Sequence, residues 1–371
     1  MNEAYLLEDY PSPLDLDTPQ PRPQADDYAE LKRTLRQMGA MDRQVAYYVF
    51  KIGLTLALLL LSLCVLVFVG DSWLQLLNAL FLGFVFGQAS FIVHDAGHQQ
   101  LSSTSWKNNL VGLLHANLFV GASFSGWVRK HNQHHANPNQ SGLDPDAESA
   151  GLAFTPEQAR TKSWFERPLI RTQAYLCFPL FLLEGVAVRV VSVQFLFQHK
   201  VRHRPAEVLL ILAHYAVYFG LLFSVLGLSR AILFVAVHQA CYGLYMGAVF
   251  IPNHTGMPML DEDAELSFLQ QQVLTARNIK AHPVTDFWCG ALNYQIEHHL
   301  FPRVARNKMK EAQKTVRAFC RARSIPYHET SLLQSYREVL GHLRRVSLSL
   351  REETLAHRTP NDLHRTRGET Q

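Results

Sequence analysis

Charge is scarce in this chain, and cysteine scarcer. Only 18% of the 371 residues are Asp, Glu, Lys or Arg, against 48% hydrophobic, which excludes a uniformly solvated surface. The five cysteines, Cys64, Cys177, Cys241, Cys289 and Cys320, form no C-x-x-C pair, so neither a disulfide framework nor a zinc knuckle follows. No glycine-rich phosphate loop of Walker or dinucleotide type is present, and nicotinamide or ATP binding therefore lacks support. The net charge of +4 is small, and its sidedness accounts for it without nucleic acid as a partner. The first 30 residues, rich in proline and acid, contain no apolar core of signal-peptide type and read as a disordered tail. There is no internal repeat beyond a pair of hairpins.

What the chain does have is apolar residues in blocks. Residues 52–69, 72–93, 208–229 and 231–260 carry no Asp, Glu, Lys or Arg, and each reaches the roughly 18 to 20 residues that cross a hydrocarbon core. They predict four spans, at about 52–70, 72–93, 207–229 and 231–252, paired as two hairpins. The turns fall at Gly70–Trp73 and at Leu228–Ala231. Cations collect on the other side: Lys32, Arg33, Arg36 and Arg43 before the first span, Lys107, Arg129, Lys130, Lys200, Arg202 and Arg204 between the hairpins, and Arg303, Arg306, Lys308 and Lys310 after the last. The positive-inside rule then places both termini and the central segment in the cytoplasm, with the chain in the inner or plasma membrane if the source is bacterial.

Two further apolar segments compete for span status. Residues 108–128 are uncharged but carry Asn108, Asn109, His115, Asn117, Ser123 and Ser125, and they read as an interfacial or re-entrant helix. Residues 168–198, with Pro179, Glu184 and Arg189, read the same way. Residues 303–345 have the composition of cytosolic helices. The expected organisation is a tail over 1–30, a membrane domain over 31–345 and a polar tail over 346–371.

Histidine supplies the chemistry. Of eighteen histidines, His94 and His98 stand four apart at the end of the second span, and His131, His134 and His135 fall within five residues. Gln295, His298 and His299 repeat that spacing with glutamine leading. On a helix, positions i, i+3 and i+4 share a face, so each box can aim its donors at one point. A crossing at 108–128 would put His94 and His131 on opposite sides of the membrane, which a shared metal forbids. Imidazole suits iron, copper, zinc and nickel alike. The number of donors argues for two metals, because four satisfy one tetrahedral zinc.

At this point the residues carry a resemblance. "HDAGH", "HNQHH" with the following "ANPNQSGLDPD", and "QIEHHLFP" together resemble the three histidine boxes of the membrane fatty acyl desaturases. The stretch "IPYHETSLLQSYREVLGHL" is similar to the end of that family's chains, and the resemblance covers roughly residues 80 to 345. It implies an all-α integral membrane fold: four transmembrane helices in two hairpins, interfacial helices, and a cytosolic helical cap holding a non-haem di-iron site beside a narrow acyl tunnel. Carried over, it makes His94, His98, His131, His134, His135, His298 and His299 ligands of two Fe ions. Gln295 stands where other branches have a histidine ligand, His254 in "IPNHTGMP" matches a further family ligand at the end of the fourth span, and Asn253 is placed to hold a water nearby.

The implied reaction is oxygen-dependent insertion of a cis double bond into a long-chain acyl group, on acyl-CoA or acyl-lipid, within membrane lipid. The glutamine variant of the third box is typical of front-end desaturases, although bacterial relatives with that box also act on saturated chains. Many eukaryotic front-end enzymes carry a fused haem domain marked by "HPGG", which this sequence lacks. Electrons are therefore expected from a separate ferredoxin or cytochrome with its reductase; Arg303, Arg306, Lys308, Lys310, Lys314 and Arg317 read equally as its dock and as a solvated helix face near anionic lipid. A di-iron lipid or carotenoid hydroxylase or ketolase is the rival within the class; a histidine-rich metal transporter or haem-binding electron carrier is the rival outside it. Asp95 and Glu297 are candidates to orient imidazoles or to lie in salt bridges. His115 reads equally as tunnel lining, headgroup contact or packing, His214 and His238 as cross-helix hydrogen-bonding groups, and His203 as part of a basic headgroup-facing patch.

Overall fold

The computed structural model describes residues 26–148 and 151–356, the last six by backbone alone. Most of the expected N-terminal tail, and residues 357–371 of the C-terminal one, lie outside the described residues. Helix α1 (Asp27–Gln37) leads to α2 (Val45–Val69), which turns at Gly70 into α3 (Gln75–Gly97). Then come α4 (Ser105–Leu113), a π-helical stretch (Leu114–Val120) and α5 (Phe124–Ala136). Short helices α6 (Pro156–Thr161), α7 (Arg167–Arg171) and α8 (Gln173–Phe181) precede α9 (Glu184–Gln198). The second hairpin is α10 (Arg204–Val225) with α11 (Leu228–His254). The remainder is α12 (Phe268–Leu274), β1 (Asn278–Ile279), α13 (Pro283–Trp288), α14 (Gln295–Leu300), α15 (Met309–Ala322), β2 (Glu329–Thr330) and α16 (Leu332–Ala356). The two strands pair in parallel over two residues each.

Four helices, α2, α3, α10 and α11, are long and apolar enough to cross a membrane. Within the protein, 17% of the apolar window of α2 and of α10 is buried, against 61% for α3 and 44% for α11. The outer pair therefore faces lipid, and the inner pair forms the core. Small residues let α3 and α11 approach: a Cβ on Gly87 would lie 2.3 Å from the Tyr245 ring, and one on Gly83 would lie 3.0 Å from the His238 carbonyl.

The helix ends depart from the expected spans. Helix α2 begins at Val45, well before 52, because it runs through Lys51, whose ammonium rests over the Phe287 ring at 5.4 Å. The second turn lies at Leu226–Gly227, and Leu228 to Ala231 already form the first turn of α11. Arg230 there pairs with Asp71 of the first turn, and Asp71 also accepts from Gly227 N at 3.1 Å, so the two hairpins are tied at the end away from the histidines. Helix α1 starts at Asp27, inside the expected tail, and is held by Arg323 on Asp27 and Glu30 at 2.7 and 2.6 Å. Helix α16 continues past 345 to Ala356, burying Val346 and Leu350.

Both competing segments are bent. Helix α5 leaves the α4 and π-helical axis at 114°, and α9 leaves α8 at 71°. The first break is buried, so its backbone needs partners that water cannot give. Leu118 O accepts from His214 Nδ1 at 2.9 Å, Val120 O from Arg189 Nη2 at 2.7 Å and Gly121 O from Tyr215 Oη at 3.3 Å. Ser123 N donates to Ser192 Oγ at 2.9 Å, and Glu207 Oε2 accepts from Asn117 Nδ2 at 2.9 Å and Ser123 Oγ at 2.7 Å. Five side chains on α9 and α10 thus grip the corner from which α5 departs.

Candidate metal centre

All three boxes converge at one end of the bundle. The last turn of α3 presents His94 and the residue that caps it is His98, α5 presents His131, His134 and His135, α14 presents Gln295, His298 and His299, and the last residue of α11 is His254. Two groups result. The ligand nitrogens of His94, His98, His131 and His298 all lie within 4.8 Å of one another, as do those of His134, His254 and His299. His135 lies between the groups: its Nε2 is 3.1 Å from that of His131, and its ring stacks on His299 at 4.2 Å. Gln295 Nε2 is 2.9 Å from His254 Nε2.

The outer nitrogens decide what the inner ones carry. His254 Nδ1 donates to Thr275 O at 2.9 Å, because a carbonyl can only accept. His299 Nδ1 donates to Gln272 Oε1 at 2.9 Å; the Gln272 amide is oriented by its own Nε2 donating to His135 O at 3.2 Å. Both imidazoles therefore hold their proton on Nδ1 and bear a lone pair on Nε2, yet their Nε2 atoms face each other at 3.1 Å. Two lone pairs at that distance repel unless a cation lies between them. The first group repeats the pattern, with His94 Nδ1 on Asp95 Oδ1 at 3.1 Å and its Nε2 3.1 Å from that of His298. His134 Nδ1 is likewise taken by Asp144 at 3.0 Å. Such outer partners fix tautomer and ring orientation in metal sites. Burial first, then the neighbouring imidazoles, holds His98, His298 and His299 well below the usual histidine range, so they stay neutral and free to ligate.

The residues fit a pair of metal ions. Gln295 Oε1 is buried with no hydrogen-bond partner, and so are His135 Nδ1 and both amide atoms of Asn253. A third group, His134 with Asp144 and Asp146, shares His134 and consists of its outer partners.

Several orienting residues carry no signal in the sequence. The run Gln272–Asn278 alone supplies Gln272 to His299, Thr275 O to His254, and Asn278, which accepts from Ile296 N at 2.9 Å. Asp144 is the first of two acids in the "GLDPD" stretch that follows the second box. Asp95 both accepts from His94 and pairs with buried Arg306. That pairing removes Arg306 from the expected docking surface. Glu297, buried, points away from the imidazoles and accepts from Asn278 and Tyr327 at 2.7 and 2.8 Å; burial pushes its carboxyl up to about 7. His115 Nδ1 bonds Val111 O of its own helix at 2.9 Å, His238 takes Tyr218 Oη at 2.7 Å across the second hairpin, and His203 is exposed at the start of α10.

Comparison with known proteins agrees with this geometry. The pattern that defines the fatty acid desaturase family matches residues 71–331. The chain is 27% identical to an acyl-lipid (9-3)-desaturase of Physcomitrium patens over 91% of its own length and 66% of the relative's. It is 28% identical to a Delta(6)-fatty-acid desaturase of Caenorhabditis elegans, covering 91% and 78%, and 28% identical to a Delta(8)-fatty-acid desaturase of Euglena gracilis, covering 81% and 74%. The chain thus spans about two thirds to three quarters of the length of these relatives.

Proposed function

The chain belongs to the fatty acid desaturase family, and from that premise we propose that it is an oxygen-dependent fatty acyl desaturase holding two irons at its histidine groups. His94, His98, His131 and His298 would hold one ion, and His134, His254 and His299 the other, with His135 between them and Gln295 beside His254. The facing Nε2 atoms of His254 and His299 carry this reading, since both imidazoles keep their protons on the far side. Irons held by these residues would supply oxygen activation, and with dioxygen, two electrons and two protons the overall reaction would take two hydrogens from a methylene pair and give two waters.

The protein's own part is positional. Asp95, Asp144, Gln272 and Thr275 hold the imidazole protons outward, and the grip on the re-entrant corner aims α5. A chain of identical methylenes reacts at one place only if it is held there. The relatives' names and the glutamine-type third box support insertion toward the carboxyl end of the acyl group. We take the acyl group to be presented on lipid or CoA from the membrane, with both termini and the metal end cytoplasmic, and the functional unit to extend from α1 through α16.

Two measurements test the reading. Lipids of cells with and without the chain are compared by mass spectrometry with double bonds located chemically, and the purified protein is assayed for metal. New unsaturated acyl groups and about two irons per chain are expected. A hydroxylated product, or a single zinc without iron, refutes it.

A further inference from the structure

Arg277 is fully buried and lies outside every histidine box, in the segment between α12 and β1. Its side chain is engaged on every nitrogen: Nε donates to Pro252 O at 2.8 Å, Nη2 donates to Thr255 O, and Nη1 pairs with Glu338 on α16. Its backbone N donates to Asn253 O at 2.9 Å. Residues 252, 253 and 255 thus all hand their carbonyls to one arginine, and the residue they enclose is His254. These are carbonyls at the end of α11, which helix geometry leaves without partners. The imidazole of His254 is fixed from the same segment, two residues earlier, by Thr275 O.

Helix α16 closes the arrangement. Glu338 also accepts from His328 Nε2 at 3.0 Å. A Cβ on Gly256, just after His254, would lie 3.3 Å from His342 Cβ, so α16 packs directly on the turn that follows the histidine. A guanidinium suits this place because its planar fork reaches two carbonyls and a carboxylate at once, whereas an ammonium is a point donor.

We propose that Arg277 is the positioning residue for His254 and that Glu338 holds Arg277 in place, so that the second histidine group is complete only when α16 is docked. The proposal rests on the two-metal reading above. The partners of Arg277 are backbone carbonyls and Glu338, none of them an imidazole, so it acts through the backbone that carries His254.

The test uses the full chain purified with iron, as wild type, Glu338→Gln, Arg277→Lys and His254→Ala. Each is measured for iron content, for the time course of iron release to a chelator, and for monodispersity by size exclusion. Arg277→Lys is expected to remain monodisperse and to release one iron roughly tenfold faster than the other, as His254→Ala does, with Glu338→Gln showing the same split more weakly. Release of both irons at the wild-type rate, acceleration of both together, or aggregation of both variants overturns the proposal, because each shows either no role or a general structural one. A wild-type chain that holds no iron refutes the metal reading itself, and that measurement separates the two failures.

Discussion

Gln295 is the one candidate ligand in the three boxes that is not an imidazole, and its position makes a separable prediction. Its amide lies 2.9 Å from His254 Nε2 with Oε1 buried and unpartnered, beside a group that already has three imidazoles. Gln295→Ala should therefore retain most of the iron while lowering turnover by roughly 10- to 100-fold; wild-type turnover in this variant would assign the residue to packing. The imidazoles themselves make a prediction about acid. The folded-state values of His98, His298 and His299 lie well below the ordinary 6.5. As pH falls through 6.5 the unfolded chain takes up protons that the folded chain refuses, so their contribution to stability is present above that pH and is lost below it. Glu297, whose carboxyl is raised by burial to about 7, acts in the opposite sense, one group against three, so thermal melts of the metal-stripped protein should still fall from about pH 6.5 to 5.5, and a melting temperature that rises over that interval contradicts the assignment.

Helix α5 carries three of the histidines, and its direction is set where the re-entrant segment breaks. Arg189 on Val120 O places a cation at the negative end of the incoming helix, while Glu207 sits at the start of α5 on Asn117 and Ser123. Removing the Glu207 carboxyl strands two buried donors, each costing about 1–3 kcal/mol. Glu207→Leu should accordingly lower the thermal midpoint in detergent far more than Glu207→Gln, which keeps an acceptor, and should lower iron content with it. Equal midpoints for wild type and Glu207→Leu would remove the corner from the account. The box histidines were legible in the sequence because helical spacing of i, i+3 and i+4 is local. His254 was legible only through family resemblance, since a single histidine at a helix end has no pattern of its own. The corner's grip and the Gln272–Asn278 run were not legible: Glu207 meets Ser123 across 84 positions and Gln272 meets His135 across 137, and no local periodicity encodes such pairs. Helix ends were misjudged where a charge was taken to mark them, as at Lys51, which α2 simply includes.

The described bundle has a histidine end, where the two imidazole groups gather, and an opposite end tied by the Asp71–Arg230 pair. With the proposed orientation, Leu74→Cys should react with an impermeant thiol reagent from outside intact cells and Asp263→Cys should not; the reverse labelling inverts the topology. The same sidedness governs where electrons enter. Forming one double bond while dioxygen becomes two waters takes four electrons, of which the substrate gives two, so two must come from a donor. We propose a separate protein as that donor, because the sequence contains no "HPGG" segment, no cysteine cluster for iron and sulfur and no dinucleotide fingerprint. Three of the docking residues expected from the sequence are engaged within the protein. Arg306 is buried on Asp95, and Lys308 pairs with Glu311 at 2.9 Å. Lys310, Lys314 and Arg321 remain exposed along α15 at spacings of four and seven, which puts them on one helical face, while Arg317, exposed between them, pairs with Glu329 at 2.9 Å. A stripe of this kind steers an acidic partner and makes its association sensitive to salt. The purified chain should not turn over with a reduced nicotinamide alone, and should do so once a ferredoxin or cytochrome and its reductase are added. Replacing Lys310 and Lys314 together by Glu should raise the donor concentration needed for half-maximal rate by roughly tenfold or more at low salt, with the maximal rate and the iron content unchanged. Sustained turnover on the nicotinamide alone removes the separate donor, and a charge-reversed chain with unaltered donor dependence removes α15 as its dock.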